Sequence, residues 1–142
     1  MTKNIVPVSK IMTRKLVFAH PDDDLRHVTE LMKKHGVRHL PVVSGNKLVG
    51  MVSRTDILRL SFGDMFDDRS KADDTVFDLL TLDDVMNSNP ITVKETDSIS
   101  EVAKKFTTVE FHSLPVMKGD EVTGIISTTD LIKYLLIVID GE

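Results

Sequence analysis

The sequence predicts an α+β (mixed α/β) protein built from two copies of one β-α-β-β-α unit. Three observations lead there. The stretch Gly50-Met51-Val52-Ser53-Arg54-Thr55-Asp56 returns 74 residues later as Gly124-Ile125-Ile126-Ser127-Thr128-Thr129-Asp130. At that same offset residues 8–60 lie over 82–134 without a gap, with identities at Met12/Met86, Asp23/Asp97, Val28/Val102, Leu40/Leu114, Pro41/Pro115, Val42/Val116 and Gly45/Gly119. Within each copy a helix-period apolar stretch is followed by two short apolar runs joined by a turn. One supersecondary unit occurs twice, and each copy is expected to bury its apolar face against the other.

Residues 8–12 suggest a short helical turn before a first extended segment at 16–19. Pro21 breaks the chain, and Asp22-Asp23-Asp24 supplies a cap and first-turn charges for a helix carrying Leu25, Val28, Leu31, Met32 and His35 on one face. Gly36 is placed to end it. In the second copy Ser98-Ile99-Ser100-Glu101 has capping-box form and opens the equivalent helix through Phe106. Strands are predicted over 37–43 and 48–53, joined by Ser44-Gly45-Asn46-Lys47, and again over 111–117 and 122–127, joined by Lys118-Gly119-Asp120-Glu121. Pro41 and Pro115 fall inside strands, which requires an edge or an unpaired side there. Closing helices follow from Asp56 to about residue 62 and from Asp130 to about 138. The expected division is a first repeat over 1–62, an acidic linker over 63–81 and a second repeat over 82–142. The linker carries enough apolar residues (Phe66, Val76, Phe77 and Leu80 among them) to predict an acidic centre near 67–74, then a short helix from Thr75 packed on the second repeat.

The 142-residue chain is 41% apolar and 28% charged, an ordinary globular composition. Cysteine is absent, which excludes disulfides and thiolate metal sites and suits a reducing cytoplasm. No signal-peptide core occupies the first ten residues, and the longest apolar run, 135–139, is too short to span a membrane, so the expectation is cytoplasmic. The net charge of −4 hides an asymmetry: +6 over residues 1–60, −4 over 61–81 and −6 over 82–142. The basic residues are scattered and not interleaved with aromatics, which argues against nucleic acid as a partner.

The duplicated motif is a strand running into a helix start. Unpaired N–H groups and a partial positive charge there suit an anion. Thr55 and Thr129 add hydroxyls, and Asp56 and Asp130 could accept both hydroxyls of a ribose. The same residues also serve a ligand-free purpose, because Ser caps helices and a first-turn Asp complements the dipole.

Taken together, Ile11-Met12-Thr13 and Val85-Met86-Asn87, His39-Leu40-Pro41-Val42-Val43 and Ser113-Leu114-Pro115-Val116-Met117, and the two glycine-to-aspartate motifs resemble a tandem pair of cystathionine-β-synthase (CBS) domains, a Bateman module. The resemblance covers about 8–60 and 82–134. It implies two repeats packed with pseudo-twofold symmetry, leaving clefts for an adenosine ligand: AMP, ADP, ATP or S-adenosylmethionine. Carried over, Ser127, Thr129 and Asp130 would work with Thr13, Leu16 and Val17, and Ser53, Thr55 and Asp56 with Asn87, Pro90 and Ile91. Arg38, His39, His112 and Ser113 precede the Leu-Pro steps and would point into the clefts. Arg54 gives the first motif a cation where the second has Thr128, and Asn87 replaces the usual threonine.

Enzyme readings find no support. His20, His27, His35, His39 and His112 form no metal set, and neither a nucleophile elbow nor a glycine-rich phosphate loop occurs. The expectation is a non-catalytic energy-sensing module, with no metal, that regulates a separate protein. The alternative is a structural or interaction module that kept the fold and lost the ligand. Nearly continuous apolar residues from Tyr134 to Ile139 point to a homodimer. The +6/−6 contrast tilts that dimer towards a head-to-tail arrangement.

Overall fold

The computed structural model describes residues 5–63 and 79–141. The expected acidic centre at 67–74 and the start of the short helix at Thr75 lie outside the described residues. Two compact units emerge, and neither is continuous with one sequence repeat. One consists of Met1–Leu16 with Ile91–Glu142, the other of Val17–Pro90.

In the 17–90 unit, helix α1 (Leu25–His35) starts at Asp24, whose carboxylate accepts the His27 N–H at 2.7 Å. It stops at Gly36, whose φ of 63° and ψ of 35° place it in the left-handed region that only glycine enters without strain. Strands β1 (His39–Ser44) and β2 (Lys47–Ser53) form an antiparallel pair, with Gly45 (φ 63°) in the turn. Helix α2 (Arg54–Gly63) follows with no intervening loop, and α3 (Leu82–Val85) begins after Thr81. The first extended segment reaches the sheet only through Ala19, which bridges Val42. Leu25, Val28, Met32, Leu40, Val42, Val52, Ile57 and Leu82 make the core of this unit.

The other unit repeats the plan. A short 3-10 turn (Val8–Lys10) precedes Thr13, and β3 (Val93–Lys94) pairs in parallel with β4 (Ser113–Lys118). Helix α4 (Ile99–Phe106) is capped by Ser98, which accepts the Glu101 N–H at 3.1 Å, as the capping-box spacing predicts. Strand β4 pairs antiparallel with β5 (Glu121–Ser127), which runs into helix α5 (Thr128–Asp140). Val8, Met12, Val93, Val102, Leu114, Val116 and Ile126 form its core. Both hairpins slip register at the same repeat position, between Val42 and Val43 and between Val116 and Met117.

Both prolines sit where the strand needs no donor. Met51, opposite Pro41, turns its own N–H and C=O to Asn87 at 3.0 and 2.8 Å. Ile125, opposite Pro115, turns the same groups to Thr13 at 2.9 and 2.8 Å. The Pro41–Met51 and Pro115–Ile125 pairs therefore exchange no hydrogen bonds, and each proline nitrogen faces away from its hairpin partner.

Those ladders show how the exchange of segments is held. Met12 and Thr13 come from the start of the chain, yet they pack and pair on β5. Met86 and Asn87 come from the start of the second repeat and do the same on β2. The contact is close. A Cβ built on Gly124 would lie 2.5 Å from the Met12 Sδ, and one on Gly50 would lie 2.5 Å from the Met86 Sδ. The glycine that opens each motif is the flat spot on which a methionine lies.

Candidate functional site: two strand-to-helix junctions

Each junction is a reciprocal cap. Asp56 N–H donates to Ser53 Oγ at 3.0 Å, and Ser53 N–H donates to Asp56 Oδ2 at 3.1 Å. At the other junction Asp130 N–H reaches Ser127 Oγ at 3.1 Å, and Ser127 N–H reaches Asp130 Oδ2 at 3.0 Å. Serine and aspartate thus satisfy two backbone donors that the helix itself leaves open. One oxygen of each carboxylate remains beyond that duty. Both aspartates are half-buried, and Thr55 and Thr129 beside them are exposed.

The residues before the Leu-Pro steps flank these junctions. Arg38 C=O accepts the Arg54 N–H at 2.8 Å, and His39 lies opposite Ser53. In the other unit His112 C=O accepts the Thr128 N–H at 3.0 Å, and Ser113, 8% exposed, lies opposite Ser127. Arg38, Arg54 and His112 are exposed and His39 is half-buried. Two exposed cations therefore border the Asp56 junction, a surplus that suits an anionic group there.

Thr13 is brought directly to Asp130: its Oγ1 donates to Oδ1 and Oδ2, both at 3.3 Å. Leu16 belongs to the same unit and is half-buried. Asn87 and Pro90 belong to the unit of Asp56, where Asn87 pairs through its backbone with Met51, two residues before Ser53. Val17 and Ile91 fall in the opposite unit from the aspartate with which each is matched by resemblance. Val17 packs on the core of the 17–90 unit, and Ile91 packs on the core of the other.

Sequence reasoning passed over the roles of Met12, Met86, Gly50 and Gly124 as packing partners. All four were visible as identities at the 74-residue offset. Among the described residues no group of three or more His, Asp or Glu is placed to hold a metal ion, and no helix is long and apolar enough to cross a membrane.

The CBS-domain profile matches residues 8–63 and again 82–137. The chain belongs to the CBS-domain family. Its two matches make it a tandem CBS pair, and the mixed helix and strand content in two repeats is that of such pairs. Protein MJ1225 of Methanocaldococcus jannaschii is 30% identical over 129 residues, which is 89% of this chain and 46% of that one. The crystal structure of MJ1225 superposes with a TM-score of 0.77 over 91% of this chain and 47% of its own. Inosine-5'-monophosphate dehydrogenase of Korarchaeum cryptofilum is 27% identical over 132 residues, 92% of this chain and 25% of the enzyme. The chain thus spans about half or less of the length of these curated relatives. The CBS domain pair of protein MJ0100, solved with 5'-methylthioadenosine and S-adenosyl-L-methionine, is 25% identical with a TM-score of 0.74, covering 92% of this chain and 96% of its own.

Proposed function

We propose that this CBS pair is a cytoplasmic, non-catalytic regulatory module that senses an adenosine ligand and passes its occupancy to a separate partner protein. The candidate ligands are AMP, ADP, ATP and S-adenosylmethionine. The observation that carries this reading is the spare carboxylate oxygen at a helix start. In both junctions Oδ2 is taken by the N-cap backbone, and the half-exposed carboxylate can still accept a ribose hydroxyl while adjacent N–H groups face an anion. Arg38 and Arg54 would add charge for a phosphate at the first junction. The adenosine compounds in the MJ0100 pair support the same ligand class.

We further propose a homodimer through α5. Ile132, Leu135, Leu136 and Ile139 recur at helical spacing and are 57%, 54%, 52% and 67% exposed, an apolar stripe that water does not favour.

A second reading draws on the same caps. Because each serine–aspartate pair closes its helix start whether or not a ligand is present, the motif also suits a ligand-free interaction module. Thermal unfolding with and without AMP, ATP and S-adenosylmethionine separates the two. A specific ligand at 100 times its Kd raises stability by about 2.7 kcal/mol, and no shift with any of them favours the interaction module.

A further inference from the structure

The two junctions share one motif but do not offer the same acceptor. At Asp130 the Thr13 hydroxyl already bridges both carboxylate oxygens at 3.3 Å, over and above the Ser127 N–H on Oδ2. Residue 87 takes the place of Thr13 in the repeat, and its side chain is turned elsewhere. The Asn87 Oδ1 accepts the Asn89 N–H at 3.1 Å, closing a turn of its own. No described residue donates to Oδ1 of Asp56. Among the described residues, one carboxylate is therefore latched by a threonine hydroxyl and the other is not.

We propose that Thr13 is an affinity-setting residue that makes the Asp130 junction the weaker of two unequal adenosine sites, with Asp56 filled first. The inference rests on the adenosine-sensing reading above. A ribose hydroxyl arriving at Asp56 meets an acceptor whose Oδ1 has no donor among the described residues. At Asp130 it must share with the Thr13 hydroxyl or displace it, so part of the new hydrogen bond is spent on replacing an old one. Charge acts in the same direction for a phosphorylated ligand, since Arg54 at the first junction corresponds to Thr128 at the second.

Two measurements on the full chain test this. In the absence of ligand, the side-chain carboxyl carbon resonance of Asp130 should move in Thr13→Val while that of Asp56 stays in place, and an unmoved Asp130 resonance overturns the latch. Calorimetric titration with AMP and with S-adenosylmethionine should then show two unequal sites. Asp56→Asn should remove the tighter one, and Thr13→Val should tighten the weaker one about three- to tenfold, the net scale of one ordinary hydrogen bond, since the two 3.3 Å contacts are long. Equal sites, a tighter site lost in Asp130→Asn, or no tightening in Thr13→Val overturn the inference while leaving adenosine sensing intact. A moved Asp130 resonance with no binding of either compound to any variant overturns the sensing reading and this inference with it.

Discussion

Alanine at Gly124 should lower stability, and the sign of that effect should depend on Met12. In an ordinary strand, exchanging glycine for alanine is favourable by about 0.5–1 kcal/mol, because glycine gives up more chain entropy. Here the added Cβ would stand 2.5 Å from Sδ, 2.9 Å from Cγ and 3.0 Å from Cε of Met12. Comfortable separation of such atoms is about 3.5–4.0 Å, so the thioether must retreat by about 1 Å. Met12 is 7% exposed and packed within the core that includes Val8, Leu114 and Ile126, so the retreat disturbs its neighbours. Overpacking of this kind costs about 1–3 kcal/mol, and the two terms leave a net loss of about 0.5–2 kcal/mol. In a Met12→Ala background the obstruction is gone, and the same Gly124→Ala change should become stabilising. Urea unfolding of the parent, both single variants and the double variant gives the coupling directly. A Gly124→Ala effect that is equal in both backgrounds would refute the packing argument. The other junction supplies a contrast. A Cβ on Gly50 also meets the backbone oxygen of Asn87 at 3.1 Å, so truncating Met86 should relieve only part of the cost.

Other outcomes follow from the caps, the core and the exposed helix. Asp56→Ala and Asp130→Ala should each weaken adenosine binding in calorimetry and also cost about 0.5–2 kcal/mol in urea unfolding, since each carboxylate closes a capping box as well as facing the helix dipole. Ser127→Gly should cost only a few tenths of a kcal/mol where Ser127→Ala costs about 1 kcal/mol, a comparison that isolates the cap from helix propensity. Leu25→Ala removes a side chain with no exposure and should cost about 2–5 kcal/mol by the same assay. Light scattering should report a dimer of the 15.9 kDa chain, and Leu135→Glu with Ile139→Glu should return it to monomer; a parent that is monomeric at micromolar concentration removes the α5 interface.

Local structure was readable because local physics fixes it. Asp24 and Gly36 bound α1 as their chemistry demands, and Gly45 and Gly119 turn the hairpins at φ 63° and 61°. Ser98 caps its helix by accepting the Glu101 N–H, although the Glu101 carboxylate takes the Ser98 hydroxyl and not its backbone N–H. What periodicity alone could not show is which copy supplies each packing partner; only the resemblance set Thr13 with the second motif and Asn87 with the first. Met12 and Met86 are alike, as are Gly50 and Gly124, so periodicity marks all four positions without showing that a methionine lies on a glycine, or whose. The structure resolves this by trading first segments between the repeats, and the charge argument changes with it. Counted by compact unit, Lys and Arg number nine against nine Asp and Glu in one, and nine against thirteen in the other. The +6/−6 contrast belongs to the halves of the chain and not to the folded units, so it no longer favours a head-to-tail dimer. Of the candidate site, the serine, threonine and aspartate of each motif were legible. The resemblance set Thr13 with Asp130, but the donation of its hydroxyl to both carboxylate oxygens was not legible, because Thr13 is 117 positions away and its hydroxyl carries no pattern.

The trade of first segments also sets an order of events on the ribosome. Thr13 and Asp130 are separated by 117 positions, so at about 5–20 residues per second the nascent chain waits about 6–23 s between making them. For most of that interval Val8 and Met12 have been synthesised but their eventual neighbours Leu114 and Ile126 have not. The Val17–Pro90 unit can close meanwhile, because all of its parts emerge in one stretch. A lone repeat made without its sibling would hold an unclaimed first segment and an unfilled place for one. Two such molecules could satisfy each other by lending those segments reciprocally, which is the arrangement that a single chain here performs on itself.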